Sequence, residues 1–327
     1  MGLSIVAGVV YLILLVSKAT LAWRYVRRYP TPAVGDDDSA VTVAQAILSG
    51  DPLLESVLDS ALGALPGARF LWLVDTDDAE AQRVTEELTR RHPGRAITRL
   101  LVPPPPDGVN PKLHKLAVAQ QHAEPGIFVV LDDDTCLPAE GLRALIDGLR
   151  TDALVTGLPC YRDDGAFPSR LLAQFVNNQA AQTYLSLAGL VPAPSINGMC
   201  YALRSEVLER VGGFAPLKAH LTDDLAVACQ VRDAGGRIRQ TPYPQFVQTR
   251  VRDLRHYIAL MHRWFLFALL LLRRQPLALR GGIAILHGLP PLLLWLMIGS
   301  AGGVRPPGAR LPPYWPHAPR AWSRCSA

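Results

Sequence analysis

Hydrophobic and polar positions alternate with two different periods through the middle of the chain. Short apolar runs that end in polar residues indicate buried strands at residues 70–74, 96–102, 127–131 and 154–157. Between these runs, apolar side chains recur with helical spacing at residues 79–91, 113–122 and 141–149. Strands that are apolar on both faces and alternate with helices are typical of a parallel sheet covered by helices. The pattern therefore predicts an α/β fold with a mostly parallel sheet.

The N-terminal segment is long and apolar enough to cross a bilayer. Residues 1–17 carry no charged side chain, and Arg24, Arg27 and Arg28 follow the apolar stretch. A cleavable signal peptide has its positive charge before the apolar stretch, so this order indicates an uncleaved transmembrane anchor over residues 1–28. Because arginines stay on the cytoplasmic side of a span, we expect the following domain to face the cytoplasm, at a bacterial inner membrane.

The C-terminal part is also apolar, but it is interrupted. Residues 281–303 carry no charged side chain and form a second predicted span, in which Pro290 and Pro291 introduce a kink. The nine apolar residues 264–272 are too few to span and predict an interfacial helix that lies on the lipid headgroups. Residues 304–327 have the proline- and arginine-rich composition of a disordered tail, and the side of the membrane that it occupies stays open.

Charge is distributed unevenly along the chain, whose formal net charge is +5. Residues 1–28 carry +4, residues 29–249 carry −9 and residues 250–327 carry +10. A nucleic-acid-binding protein concentrates positive charge on its folded domain, so we expect no nucleic-acid partner. An acidic domain between basic, apolar ends suits an anionic membrane surface instead. The predicted units are an anchor (1–28), an α/β domain (40–250), interfacial helices (251–280), a second span (281–303) and the tail (304–327).

The five cysteines are scattered and show no C-x-x-C spacing. This pattern argues against a disulfide framework or a zinc site and favours a reducing compartment.

Acidic clusters follow two of the predicted strands, at the edge where open α/β sheets bind ligands. The first, Asp75-Thr-Asp-Asp78, is also explained by a turn that caps the next helix. The second is Asp132-Asp133-Asp134. Its alternate carboxylates, Asp132 and Asp134, could share a hard divalent cation, which prefers oxygen ligands, and a solvated loop is the alternative.

Two later motifs could also carry chemistry. Asp223-Asp224 heads a predicted helix over residues 226–233, with Thr222 as a plausible N-cap. Capping explains one acid well and two less well, and a carboxylate held there could be a general base that deprotonates a hydroxyl. Arg263-Trp264 stands at the start of the interfacial helix, where it either anchors the helix or faces a diphosphate and an acceptor.

Taken in order, these motifs resemble the family 2 type of glycosyltransferases. Within that group the similarity is to family 21, the ceramide glucosyltransferase-like enzymes, which include bacterial hopanoid-associated glycosyltransferases. The most specific match is Gly108-Val-Asn-Pro-Lys112, which resembles that family's Gly-x-Asn-Pro-Lys segment. Gly157-Leu-Pro159 and Asn197-Gly-Met-Cys200 resemble its Gly-Leu-Pro and Thr-Gly-Met-Ser segments. The similarity covers roughly residues 40–270.

The resemblance implies a GT-A type of fold with membrane helices at both ends. It implies transfer of a hexose from a UDP-sugar (UDP-glucose or UDP-N-acetylglucosamine) to a lipid hydroxyl, with inversion at the anomeric carbon. Asp132 and Asp134 would hold a divalent cation, Mg²⁺ or Mn²⁺, against the diphosphate. Asp224 would be the catalytic base. The acceptor would be a ceramide-, hopanoid- or glycerolipid-like lipid, because the site lies between two membrane segments.

The resemblance also implies donor-binding roles. Asp75 would contact the uridine, Lys112 would lie near the phosphates, and Arg263 and Trp264 would close over donor and acceptor. One departure concerns the family's closing motif, Gln/Arg-x-x-Arg-Trp, in which Leu260 stands at the first position. Two other functions stay open: a processive polysaccharide synthase of the same superfamily, and a non-catalytic, membrane-tethered protein that keeps a GT-A fold for binding.

Overall fold

A single mixed sheet forms the centre of the protein in the computed structural model, which describes residues 2–32 and 40–301. Its strands are β1 Val41–Ile47, β2 Arg69–Asp75, β3 Ile97–Val102, β4 Ile127–Leu131, β5 Thr135–Cys136, β6 Leu154–Tyr161, β7 Cys200–Arg204 and β8 Ile238–Val247. They pair in the order β3-β2-β1-β4-β7-β6-β8-β5. Strands β3, β2, β1 and β4 are parallel, and β7 is antiparallel to both β4 and β6. The predicted α/β class is confirmed, and the sheet becomes mixed beyond β4.

Helices cover both faces of this sheet. They are α1 Gly2–Arg28, α2 Leu54–Ala64, α3 Ala79–Arg91, α4 Pro111–His122, α5 Ala139–Gly148, α6 Phe167–Asn177, α7 Ser186–Ala188, α8 Ser205–Arg210, α9 Asp223–Asp233, α10 Leu254–Arg273, α11 Leu277–Ile283 and α12 Leu289–Ala301. Helices α2, α3 and α5 pack on one face, and α4, α8 and α9 pack on the other. The result is a three-layer sandwich with two apolar cores, because every central strand is buried on both sides.

The predicted strands at residues 70–74, 96–102, 127–131 and 154–157 correspond to β2, β3, β4 and β6. The pattern did not indicate the central strand β1, nor β7 and β8. Strand β1 contains two polar residues and two alanines, although nearly all of it is buried. Its Gln45 is fully buried and its Oε1 accepts a 2.8 Å hydrogen bond from Trp72 Nε1 of β2. A polar residue satisfied by a neighbouring strand therefore hides a core strand from a hydrophobicity pattern.

The two terminal apolar segments form an antiparallel helical pair. Helix α1 contacts α12, with Ser4 Oγ 2.6 Å from Ser300 Oγ, and it contacts the turn before α12, with Lys18 Nζ 3.3 Å from His287 Nδ1. The sequence positions increase along one helix as they decrease along the other, so the helices run in opposite directions. Gly2–Arg28 and Leu277–Ser300 are each long and apolar enough to cross a membrane.

The sequence predicted a kink at Pro290 and Pro291; the structure has a π-helical turn at Ala284–Gly288, before these prolines, which themselves lie within α12. Prolines lack the N–H that would complete the preceding helical turn, which explains the widening. The predicted interfacial helix over residues 264–272 is the second half of α10, which begins ten residues earlier because the Asp253 carboxylate caps it by accepting a 2.7 Å bond from His256 N. The predicted tail, residues 304–327, lies outside the described residues.

Candidate active site

The acidic clusters lie at one edge of the sheet because the parallel strands that precede them end there. Asp75 is the last residue of β2, and Asp132 follows the last residue of β4. Strand β1 separates these two strands and pairs with both. The aspartate loop after β4 is held from two sides: Asp132 N donates to Met199 O at 2.8 Å, and Gln248 N donates to Asp134 O at 2.7 Å.

Lys112 joins the second and third acidic clusters. Its Nζ lies 2.5 Å from Asp132 Oδ1 and 2.9 Å from Asp223 Oδ2, and it donates to Gly198 O at 2.8 Å. These two carboxylates raise the pKa of the ammonium well above its usual range, against the opposing effect of burial. The residues brought together come from α4, the β4 loop, the segment before β7 and the start of α9, which are far apart in the sequence.

The Gly-x-Asn-Pro-Lys segment positions that lysine. Asn110 is the N-cap of α4, and its Oδ1 accepts from Lys112 N at 3.0 Å and from Leu113 N at 3.2 Å. Asn110 also donates from its backbone N to Lys218 O at 2.7 Å and from Nδ2 to His220 O at 3.1 Å. The same side chain therefore starts α4 and ties it to the loop that leads into α9.

Asp75 is held by a second lysine of α4, which the sequence analysis missed. Lys115 Nζ lies 2.8 Å from Asp75 Oδ2 and donates to Ile47 O at 2.7 Å, and its side chain is only 4% exposed. Lys115 lies one helical turn beyond Lys112, on the same face of α4. The other carboxylate oxygen, Asp75 Oδ1, is buried and has no hydrogen-bond partner within the described part of the chain.

Asp133 and Asp134 line a cavity of about 180 Å³ between the loop after β1 and the segment after β8. Desolvation and the charges of the neighbouring aspartates raise the pKa of Asp134 to about 8, and desolvation raises the pKa of Asp133 to about 7. Desolvation also raises the pKa of Asp132, although Lys112 opposes the rise. Clustered carboxylates that resist ionisation in this way indicate a site that is short of positive charge.

Asp224 lies in the first turn of α9, where its Oδ1 accepts a 2.7 Å bond from Leu225 N. Desolvation and the charge of Asp223 raise the pKa of Asp224 to about 6. Thr222 is the residue before the helix, as predicted, but its side chain makes no capping hydrogen bond. The charge of Asp224 also contributes to the raised pKa of Tyr184, after desolvation of that residue's hydroxyl. Tyr184 is therefore within electrostatic range of Asp224, and no motif had indicated it.

Trp264 reaches the site through Tyr161, the last residue of β6. The two rings are edge to face with centroids 6.0 Å apart. Burial raises the pKa of Tyr161 well above its usual range, the charges of Asp134 and Asp132 add to the rise, and Arg263 opposes it. Tyr161 thus lies among the aspartates and the Arg-Trp motif. Leu260 packs against the apolar cluster that contains Tyr161, Val247 and Met261. Leu260, which replaces the Gln or Arg of the resembled motif, therefore lies in apolar surroundings.

The Gly157-Leu-Pro159 and Asn197-Gly-Met-Cys200 segments are hydrogen-bonded to each other. Gly157 O accepts from Asn197 Nδ2 and from Gln240 Nε2, each at 2.8 Å. Gly157 lies at an irregularity of the β6–β8 pairing, between Thr156 and Leu158. A Cβ on Gly198 would lie 3.2 Å from Asp224 Cβ, so this glycine lets α9 approach closely.

The carboxylates of Asp132 and Asp134 are suitable ligands for a divalent cation that also binds a substrate. Asp132 and Asp134 offer hard carboxylate oxygens in a loop whose backbone is held on both sides. Across the described residues, no group of three or more His, Cys, Asp or Glu side chains is arranged to hold a metal ion. Two carboxylates completed by substrate phosphates are the arrangement that Mg²⁺ commonly uses in proteins.

Comparison with known proteins agrees with this architecture. A mannosyltransferase from Pyrobaculum calidifontis, solved with GDP-Man and Mn²⁺, matches with a TM-score of 0.60 and 20% sequence identity, over 93% of this chain and 88% of that chain. Glucosyl-3-phosphoglycerate synthase from Mycobacterium tuberculosis, solved with Mn²⁺, UDP and phosphoglyceric acid, is 21% identical with a TM-score of 0.44, over 70% of this chain and 79% of that chain. The fold is the GT-A fold of glycosyltransferases.

The family model of glycosyl transferase family 21 matches residues 3–296. The chain belongs to this family and is a glycosyltransferase, as the motifs predicted.

Proposed function

We propose that the protein is a membrane-bound, inverting glycosyltransferase that moves a hexose from a UDP-sugar to a lipid hydroxyl. The observation that carries the proposal is the shared ion pair of Lys112 with Asp132 and Asp223. It brings the loop that suits a cation next to Asp224, the residue that suits a base. Sugar transfer requires a cation beside the donor's diphosphate and a base beside the acceptor's hydroxyl, with the anomeric carbon between them.

Asp75 supports recognition of the donor's base. Its Oδ1 is a buried acceptor without a partner within residues 2–32 and 40–301, and leaving such an atom unpaired costs about 1–3 kcal/mol. The imide N–H of uracil is a donor that would satisfy it. Lys115 holds the carboxylate in place, since its Nζ lies 2.8 Å from the other oxygen.

Asp132 and Asp134 would hold Mg²⁺ or Mn²⁺, and when bound the cation would screen the negative charge that develops on the departing diphosphate. Lys112, which already lies on Asp132, would supply a second positive charge beside the phosphates. Arg263 and Trp264 would close the site from α10, because Tyr161 links that helix to the aspartates.

Asp224 would act as the general base. As the acceptor oxygen attacks the anomeric carbon, its proton would pass to the Asp224 carboxylate, and the bond between that carbon and the phosphate oxygen would break. The nucleoside diphosphate would leave from the opposite face, which inverts the configuration. A pKa of about 6 suits this step, because the group is ionised at neutral pH and still accepts a proton readily.

The apolar helices support a lipid acceptor and a membrane location. Helix α1 exposes large apolar side chains along most of its length, and α10 exposes Ile258, Phe265 and Leu269 close to Trp264. Such surfaces are stable against acyl chains and costly in water. The basic residues at the end of α1 would place the GT-A domain on the cytoplasmic side. Ceramide, a hopanoid or a glycerolipid has the hydroxyl and the apolar body that this arrangement requires.

A transfer assay tests the proposal. We expect the purified full chain in detergent, given Mn²⁺, labelled UDP-glucose or UDP-N-acetylglucosamine and a membrane lipid extract, to produce lipid-soluble label. Asp224→Asn should lower the rate by about 10²–10⁴-fold. Asp233→Asn, at the exposed far end of the same helix, is the matched control and should keep wild-type activity. Full activity of Asp224→Asn, or no lipid-soluble label from either donor, would refute the proposal.

Two further measurements test its parts. UDP should bind more tightly with Mn²⁺ than with a chelator, and Asp134→Asn should abolish the difference. Tighter binding of GDP than UDP would contradict the uridine assignment.

The pairing of α1 with α12 can be tested by cross-linking. Ser4→Cys combined with Ser300→Cys should cross-link in native membranes under mild oxidation. Ser4→Cys with Gly288→Cys should not, since twelve helical residues correspond to about 18 Å. Equal cross-linking of both pairs would contradict an ordered antiparallel pair.

A further inference from the structure

A second, larger cavity lies away from the candidate active site. It has a volume of about 430 Å³ and is lined by the end of α1, the segment of residues 188–193 and the first residues of β8. None of the residues assigned to the sugar-transfer site lines it. Strands β6 and β8 run parallel, and the cavity is next to their first residues, whereas Tyr161 and the aspartate loop are at their last residues. The two sites therefore lie towards opposite ends of the same strands.

The cavity carries more positive charge than its own acid can neutralise. Arg28, Arg237 and Arg239 are among the residues that line it. Asp152 pairs with two of them, at 2.9 Å from Arg237 Nη2 and 2.6 Å from Arg239 Nε, and its side chain is only 3% exposed. The Arg28 side chain makes no ion pair or hydrogen bond in the part of the chain that the structure describes. Three guanidinium groups facing one carboxylate leave a net charge of +2.

Part of the cavity lining is apolar. Leu190 and Val191 belong to it, and both side chains are exposed, at 64% and 37%. Tyr25, from the last turn of α1, and Tyr29, which follows that helix, also line the cavity, and the Tyr25 hydroxyl donates to Gln240 O. The cavity thus combines a cationic wall with exposed apolar side chains, at the place where an apolar helix of membrane-spanning length ends.

We propose that this cavity binds the phosphate headgroup of an anionic glycerophospholipid, with the phosphate on Arg28 and Arg237 and the first acyl carbons against Leu190 and Val191. The proposal rests on the membrane location given under the proposed function. Guanidinium groups bind phosphate through paired, charge-assisted hydrogen bonds. A phospholipid supplies both a phosphate and acyl chains at the end of a membrane-spanning helix. The lipid bound here would be a resident of the membrane and distinct from the sugar acceptor.

Lipid adducts on the full chain, counted by native mass spectrometry from mild detergent, test the proposal. With equal amounts of phosphatidylglycerol and phosphatidylcholine, the wild type should retain the anionic lipid at least tenfold more often. Arg28→Gln should lower this preference about tenfold, the loss expected for one charge-assisted contact. Arg24→Gln removes the same charge from the same end of α1 but does not line the cavity, and it should change the preference less than twofold.

Arg237→Gln is the second variant, and it leaves Asp152 paired with Arg239. It should lower the preference as Arg28→Gln does. An equal loss in Arg24→Gln, or no loss in both cavity variants, would overturn the site. Inorganic phosphate should displace the lipid poorly, and displacement at equal concentration would show that the site takes a small anion. Sugar transfer measured on the same samples separates the two proposals: a selective lipid adduct without transfer refutes only the proposed function, and transfer without selective adducts refutes only this inference.

Discussion

Asp223 is expected to control the pH at which the proposed base works. Groups from four places face Asp224: Asp223 in the same helix, Lys112 from α4, Asp132 from the loop after β4, and Tyr184 from the turn before α7. Asp223→Asn removes a neighbouring negative charge and leaves Lys112 paired with Asp132. The loss of that negative charge favours the ionised form of Asp224, while Lys112 still opposes the rise of its pKa. The variant should therefore lower the pKa of Asp224 and extend activity to lower pH.

The size of this change follows from the causes of the raised pKa. The pKa of Asp224 is about 6, and desolvation is the largest cause of the rise, with the charge of Asp223 second. An unperturbed aspartate has a pKa of about 3.9, so the charge of Asp223 accounts for part of a rise of about two, and desolvation remains when that charge is removed. We expect the midpoint of the acid limb to move from about pH 6 to about pH 5–5.5. At pH 5 the wild type should be about tenfold below its plateau rate, since only about a tenth of the base is ionised.

The assay is kcat/KM for the sugar donor between pH 4.5 and 8, with saturating Mn²⁺ and lipid. A general base is active when it is deprotonated, so kcat/KM should rise with pH through the pKa of the base and then level off. Asp223→Asn should show the lower midpoint with a plateau reduced by less than tenfold. An unchanged midpoint would refute the assignment of Asp224 as the titrating base, and a higher midpoint would refute the electrostatic reasoning.

Two substitutions examine the supports of the site. Lys115→Met should lower the free energy of unfolding by about 3–5 kcal/mol, measured by denaturant titration in detergent, because it leaves the Asp75 carboxylate buried and unpaired. Adding Asp75→Asn should restore most of the loss, and no restoration would contradict the ion-pair explanation. Gly198→Ala should lower kcat by about 10–100-fold with little change in unfolding temperature, because the new Cβ lies 3.2 Å from Asp224 Cβ. Gly63→Ala, which meets nothing within 4 Å, is its control, and equal losses in both would contradict a positional effect.

Hydrophobic periodicity predicted the elements that are apolar throughout. The pattern predicted strands β2 and β4 within two residues of their observed ends, and helix α3 at its observed bounds. These elements lie between turn residues, so local signals fix both ends. The acidic clusters could be assigned to one edge of the sheet for the same reason, because consecutive parallel strands end on the same side.

The parts that the sequence did not indicate depend on contacts between distant residues. Lys115 looked like one lysine in an amphipathic helix, and only the fold shows that its side chain is buried against Asp75. Tyr161 ends a strand and carries no motif, yet it links Trp264 to the aspartates. Strand β1 was missed because Gln45 is satisfied by a side chain from the next strand. Polar residues in such positions are recognisable only when their partners are known.

Lys112 and Lys115 of α4 would couple the binding of a cation to the binding of a nucleotide. One turn of a single helix holds Asp132 at one end of the cleft and Asp75 at the other. A divalent ion that draws Asp132 away from Lys112 would release a restraint on α4, and the same helix holds Asp75, which we propose to contact the nucleobase. Affinities for metal and nucleotide are then linked, and by thermodynamic reciprocity each must strengthen or weaken the other by an equal factor.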